Sequence, residues 1–211
     1  KRALSQYASQ VALVPIGITY ERVTEDTRYT GLSRYKKKEA RAYRAYDKRG
    51  FLQHAIFQPN SLAYIDIGTP MYITDVRHMD ALEKELRTRM GSLIRITPVS
   101  LTCRALAGHS SLPLSDRLKK MKEDLEYAND SGCLLPRIMR YRTVGHIFKQ
   151  ALPHFPNRVL MLDIIRVEGK HRKLVRVRRM DVIQYYARTI AHLFTSTPLP
   201  EITEKNAQNT G

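Results

Sequence analysis

Apolar residues fill nearly every position from Val11 to Ile18, in VALVPIGI, and the run ends abruptly in Tyr20-Glu21-Arg22. A strand with one wet face alternates apolar and polar residues, so this continuity predicts a strand covered on both faces. A second strand is expected through LAYIDIG, residues 62–68, closed by the turn chemistry of Gly68-Thr69-Pro70. Between them KKKEARAYRAYDKRG is rich in helix formers and stops at Gly50. Strand, helix, strand is the order of part of an α/β layer.

Downstream a helical period of 3.6 appears. Met79, Leu82, Leu86 and Met90 recur every three or four residues, with Glu83/Arg87 and Glu85/Arg89 as i, i+4 pairs, which predicts an amphipathic helix. Pro98 suits the first turn of a helix through VSLTCRALAG. Ser115 and Asp116 can start another that turns Leu118, Met121 and Leu125 to a core and stops at Gly132. RVLMLDIIRV and KLVRVRR, separated by EGKH, read as a hairpin with basic side chains exposed. MDVIQYYARTIAHLF reads as a last helix with Val182, Ile183, Tyr186, Ile190 and Leu193 on one face, and the 17 residues from Thr195 lack periodicity.

These patterns divide the chain into an α/β part over 1–75, a mostly helical region over 76–194 with a hairpin near 159–178, and a flexible tail over 195–211. An apolar content of 43% in 211 residues supplies a substantial core. No run approaches the roughly 18 to 20 apolar residues of a transmembrane helix, and KRALSQYASQ has no signal-peptide core. Cys103 and Cys133 suggest neither a disulfide framework nor a metal knuckle, and a reducing compartment is the default. The net charge of +16 asks for an acidic partner: nucleic acid, anionic lipid or a phosphorylated small molecule. Much of the excess lies in Arg28–Arg49, with nine basic and two acidic residues, and in Arg166–Arg179, with seven and one.

VALVPIGITYERV, followed by a tyrosine and a KKKEA run, resembles the fourth sequence block of the glycerol-3-phosphate acyltransferases, a buried Val-Pro-Ile strand ending in Tyr-Glu or Tyr-Asp. AYIDIGTPMYI resembles that family's strand ending in a Gly-Glu-Pro turn, and GSLIRITPVSLTCRALAG its Pro-Val-Ser-Leu segment. MDVIQYYARTIAHLF resembles its terminal helix with a Tyr-Tyr pair. The four stretches occur in the family's order. The resemblance implies the C-terminal part of a glycerolipid acyltransferase α/β domain followed by a helical region, and transfer of a fatty acyl group from acyl-CoA or acyl carrier protein to glycerol 3-phosphate. It implies no metal or redox cofactor, and attachment to an anionic membrane surface on the cytoplasmic side.

The family's chemistry is attributed to a His-x4-Asp motif, whose histidine is a general base oriented by the aspartate. Five residues beyond His54, His78, His109, His146, His154, His171 and His192 stand Pro59, Glu83, Leu114, Ala151, Val159, Arg176 and Thr197. None is an aspartate, and the Gly/Arg-rich phosphate motif is missing too, so the chain reads as the back part of something longer, inactive alone. The residues left to a substrate role are Tyr20, Glu21 and Arg22 at the strand end, with Arg34, Lys36, Lys37 and Lys38 beyond it. Fixed positive charge there would bind and steer polyanionic substrates.

Competing readings attach to the same residues. Pro15 reads as core, Lys36–Lys38 equally as a solvated helix face, and His192 as a packed histidine beside the last helix's apolar face. Tyr29, Tyr35, Tyr43 and Tyr46 among basic residues suit single-stranded nucleic acid, although no nucleic-acid module is recognisable. A noncatalytic interaction module sharing the acyltransferase tail is a third possibility.

Overall fold

The computed structural model describes residues 12–22, 62–72, 79–157, 162–163, 165–169, 173–195 and 199. Over these residues the protein is a mixed α/β structure with six α-helices and small antiparallel sheets.

Helix α1 spans Met79–Ser92, α2 Pro98–Leu106, α3 Leu114–Asp130, α4 Arg137–Tyr141, α5 Val144–Ala151 and α6 Met180–Thr189. Helix α2 is the centre: all nine of its residues are buried, and α3, α5 and α6 pack around it. A short helix is marginal in water, and this one depends on the packing that surrounds it. Leu101, Met121, Met139, Ile147, Ile183 and Phe194 fill the space between these helices. In α6, Val182, Ile183 and Tyr186 are buried, and Ile190 continues the face into a 3-10 turn over Ala191–Leu193.

Helix α3 begins one residue before the expected Ser115 start. Its N-cap is Pro113, with no side-chain cap, while Ser115 donates to Asp116 Oδ1 at 3.1 Å instead. Its end is as expected: Gly132 has φ +68°, its N–H meets Asn129 O at 3.1 Å, and Cys133 N–H meets Ala128 O at 2.9 Å. This paired closure needs a left-handed residue, which glycine adopts without strain. On α1 the expected Glu83–Arg87 and Glu85–Arg89 pairs form, at 2.6 and 2.5 Å. Met90, assigned by its spacing to the apolar face, is exposed, whereas Leu82 and Leu86 are partly buried.

Strands β8 (Ile165–Glu168) and β9 (Leu174–Val177) form the expected hairpin, and β5 (Ser111–Pro113) adds to β9, so the sheet order is β5-β9-β8. Ile165, Val175 and Val177 face the core; Arg166 and Arg176 face outward and flank Glu168 at 3.7 and 3.6 Å. Upstream, β6 (Pro156–Asn157) pairs with β7 (Leu162–Asp163). Of the tail, Thr195 and Leu199 are described, and Leu199 packs partly buried against the core.

The opening apolar run folds as β1 (Ala12–Leu13) and β2 (Ile16–Tyr20), which pair antiparallel with β4 (Met71–Tyr72) and β3 (Ala63–Ile67). Here the structure corrects the expectation of a strand covered on both faces. Gly17 and Thr19 face the body, but Ile16, Ile18 and Tyr20 are about half exposed, and opposite them Ile65 and Ile67 are 66% and 70% exposed. A ribbon has two faces, and the segment from Leu93 to Arg95 occupies only one. Pro15 is nevertheless buried, as its core reading required.

Leu101, fully buried in α2, tests this packing. Leu101→Ala is expected to lower unfolding free energy by about 2 to 5 kcal/mol in urea titrations. A loss under about 1 kcal/mol would mean that α2 is not the centre of the core.

Candidate functional site

The strand end singled out by sequence lies against the N-terminus of α2. Thr97 is its N-cap, and a capping box ties Thr97 to Ser100: Ser100 N–H donates to Thr97 Oγ1 at 3.2 Å and Thr97 N–H to Ser100 Oγ at 2.9 Å. Pro98 has no N–H to satisfy, and Leu101 N–H reaches Thr97 O at 2.9 Å. The remaining donor, Val99 N–H, is taken by Glu21 Oε1 at 3.0 Å. Each of the four first-turn positions is thus accounted for. With its donors spent, this helix start serves as a socket for Glu21 rather than as a phosphate cradle.

Glu21 is buried, and its carboxyl is pushed up from 4.5 to about 7 by desolvation, against the lowering effect of the Val99 hydrogen bond. Arg22 is buried too, and its Nη1 donates to the carbonyl of His154. Burial, with the Arg22 charge, holds the His154 imidazole below its ordinary value. Arg22, expected at the rim, is thus placed inside, where it holds the strand end to the turn that follows α5. Tyr20 alone of these three is exposed. Arg34, Lys36, Lys37 and Lys38, together with Tyr29, Tyr35, Tyr43 and Tyr46, lie outside the described residues.

A hollow of about 190 Å³ opens between β2, the start of α2 and α6, with Ile18, Tyr20, Thr97, Ser100, Tyr185 and Thr189 among its walls. The Thr97 and Ser100 hydroxyls serve the capping box, and Thr189 Oγ1 donates to Tyr186 O at 2.7 Å. Among its walls no carboxylate or imidazole stands ready to move a proton. The hollow can seat an apolar or aromatic group; it does not supply a general base. Among the described residues no group of three or more His, Cys, Asp or Glu is placed to hold a metal ion. Among the described residues neither Cys103, which is buried, nor Cys133, which is partly buried, stands in a disulfide.

Beside the hollow, residues the sequence reading passed over fix the ribbon. Arg95 grips Asp66 through both nitrogens, with Nε at 3.0 Å from Oδ2, and its guanidinium carbon lies 5.2 Å from the Tyr64 ring centroid. Arg95 N–H also donates to Thr19 Oγ1 at 3.0 Å. The legible signal was Thr97-x-x-Ser100 before an apolar run, a capping-box pattern. Nothing in the spacing linked Arg95 with Asp66. His192 is exposed, and its Nε2 lies 3.0 Å from Gly91 O, tying the end of α6 to the end of α1.

The raised Glu21 value gives a pH test. Between pH 4.5 and about 7 the folded protein holds this proton more tightly than the unfolded chain does, so the contribution is complete below pH 4.5 and is lost as pH rises through 7. It amounts to about 3 kcal/mol. His154, lowered, works in the opposite direction, so the parent is compared with Glu21→Gln. Urea titrations should show the variant gaining on the parent by up to about 3 kcal/mol between pH 4.5 and 8. A difference that does not change with pH would show that Glu21 is not protonated in its socket.

Compared with protein-family models and with curated proteins, the chain matches none.

Proposed function

We propose that this chain is the C-terminal portion of a glycerol-3-phosphate O-acyltransferase-like enzyme, which passes a fatty acyl group from acyl-CoA or acyl carrier protein to glycerol 3-phosphate in phospholipid biosynthesis. The observation that carries this reading is the meeting of the four stretches that resemble that family. Strands β2 and β3 pair over their whole length. Glu21 caps the helix of the Thr-Pro-Val-Ser stretch through Val99. That helix packs on α6, whose following turn returns to Gly91 through His192. Stretches kept in one order along a chain and joined in one contact network are what a shared active-site scaffold requires.

The open face of the β2–β3 ribbon fits the same reading. Ile16 faces Ile67 and Ile18 faces Ile65 across the pair, an apolar surface that the layer rule of α/β domains expects to be covered. In this proposal the covering element belongs to the part of the enzyme with the His-x4-Asp motif, where the histidine takes the glycerol hydroxyl proton and the oxygen attacks the thioester carbonyl, releasing the thiol. Tyr20 lies at the rim, Glu21 and Arg22 brace the strand end, and Arg34, Lys36, Lys37 and Lys38 bind the anionic ends of the substrates.

The purified chain, given acyl-CoA and glycerol 3-phosphate, should show no transfer above background, because a general base alone contributes about 10² to 10⁴ in rate. Joined to a segment with His-x4-Asp encoded ahead of Lys1, it should turn over. Turnover by the chain alone, or an intact gene without that motif, would sink the reading.

An enzyme of this kind must meet a bilayer, and no helix among the described residues is long and apolar enough to cross one. Basic clusters near anionic lipid contribute about 1 kcal/mol per Lys or Arg and weaken as salt shortens the Debye length. The chain is expected to sediment with anionic vesicles at low ionic strength and to leave them as salt rises. Equal binding to neutral vesicles without a salt response would assign its charge to another partner.

A further inference from the structure

From Ser131 to Leu162 the sequence has no Asp or Glu, while Arg137, Arg140, Arg142, Lys149 and Arg158 fall within it. Three of these arginines sit on or just after α4. Met139, 1% exposed, anchors this short helix to the core, and its other side turns outward. Arg137 and Tyr141 are four residues apart, one helical turn, so they share a face. Arg142, the first residue past the helix, is extended at φ −115° and ψ 153°. Arg137, Ile138, Tyr141 and Arg142 line an open hollow of about 520 Å³. Tyr141 is 76% exposed, the largest exposure among the large hydrophobic side chains described. None of Arg137, Arg140 and Arg142 forms an ion pair with a described residue.

We infer that this hollow binds a nucleotide with at least two phosphate charges, its base against the Tyr141 ring and its phosphates on Arg137 and Arg142. The ligand must account for three things at once. Guanidinium groups offer phosphate oxygens paired donors in a fixed fork. Inorganic phosphate would explain the arginines and leave the exposed ring idle. An acyl chain would use Ile138 and Tyr141 and leave the charges unanswered. A nucleoside diphosphate satisfies the ring, the apolar floor and the charges together. Single-stranded nucleic acid needs successive stacking platforms, and α4 offers one ring. The inference goes beyond the acyl-transfer reading and does not depend on it. Coenzyme A ends in the same chemistry, so a free nucleotide and a carrier's nucleotide end are two sources of one ligand.

The test is calorimetric titration of the 211-residue chain with ADP, inorganic pyrophosphate and adenosine at low salt. ADP is expected to bind more tightly than either part. Arg137→Gln and Arg142→Gln should each weaken ADP about tenfold. Tyr141→Leu should weaken ADP about tenfold and leave pyrophosphate within about twofold. All three positions are exposed, and circular dichroism verifies that the variants fold. Arg137→Lys should restore part of the loss. Coenzyme A binding more tightly than ADP, and lost in the same variants, would identify the carrier as the source; the reverse order would identify free nucleotide. Unchanged ADP affinity in the arginine variants, or no ADP binding at millimolar concentration, would overturn the inference. Oligouridylate bound about a hundredfold more tightly than ADP and lost in the same variants would overturn it in favour of single-stranded nucleic acid.

Discussion

A helix buried on every side must find partners for its end groups without water, and the rest of this structure is arranged around that need. At the start of α2, Glu21, Thr97 and proline chemistry leave no first-turn donor unanswered. At its end Arg117 donates through Nη1 to Ala105 O, placing a cation where the helix dipole favours one. Ala107 N–H returns to Arg104 O at 3.3 Å and His109 N–H to Leu106 O at 3.4 Å. Strand β2 upstream and helix α3 downstream are therefore both tied to α2 by side chains that serve its backbone.

Burial of charge is the cost of this arrangement. Arg104 and Asp124 lie 3.3 Å apart with 2% exposure each; Lys120 reaches the other Asp124 oxygen at 3.0 Å, and the Arg104 guanidinium carbon sits 3.9 Å from the Phe194 ring centroid. Desolvation draws Arg104 below its ordinary value, while Asp124 counteracts it. Such a pair adds little net stability, yet removing one partner leaves a buried charge at a cost of about 3 to 5 kcal/mol. It joins α2 to α3, and the contact of Arg104 with the Phe194 ring joins α2 to the turn that follows α6.

The segment from Leu93 to Val99 is the seam between ribbon and helical body. Gly17 allows the close approach: a Cβ there would lie 2.6 Å from Leu93 Cβ and 2.7 Å from its carbonyl oxygen. Gly68 N–H meets Pro15 O at 2.9 Å, and Arg95 closes the seam on Asp66 and Thr19. A two-stranded ribbon is marginal by itself, so β2 and β3 keep their form because one face is fastened here. The open face of isoleucines follows from the same fact, since the seam can cover only one side.

Local pattern decided a good deal. The helix at Pro98, the stop at Gly132, the i, i+4 pairs of α1, the hairpin at EGKH and the face of α6 each depend on residues within a few positions of one another, and the sequence by itself determined them. Tertiary structure alone decided which face of β2 is covered, that Glu21 and Arg22 are buried against Val99 and His154, and that Arg95 meets Asp66. Continuous apolarity says that a strand avoids water without saying what covers it. Partners 29 or 78 residues apart leave no mark in periodicity. Their meeting depends on how whole elements pack, and hydrogen bonds over such separations become visible only once the chain is folded.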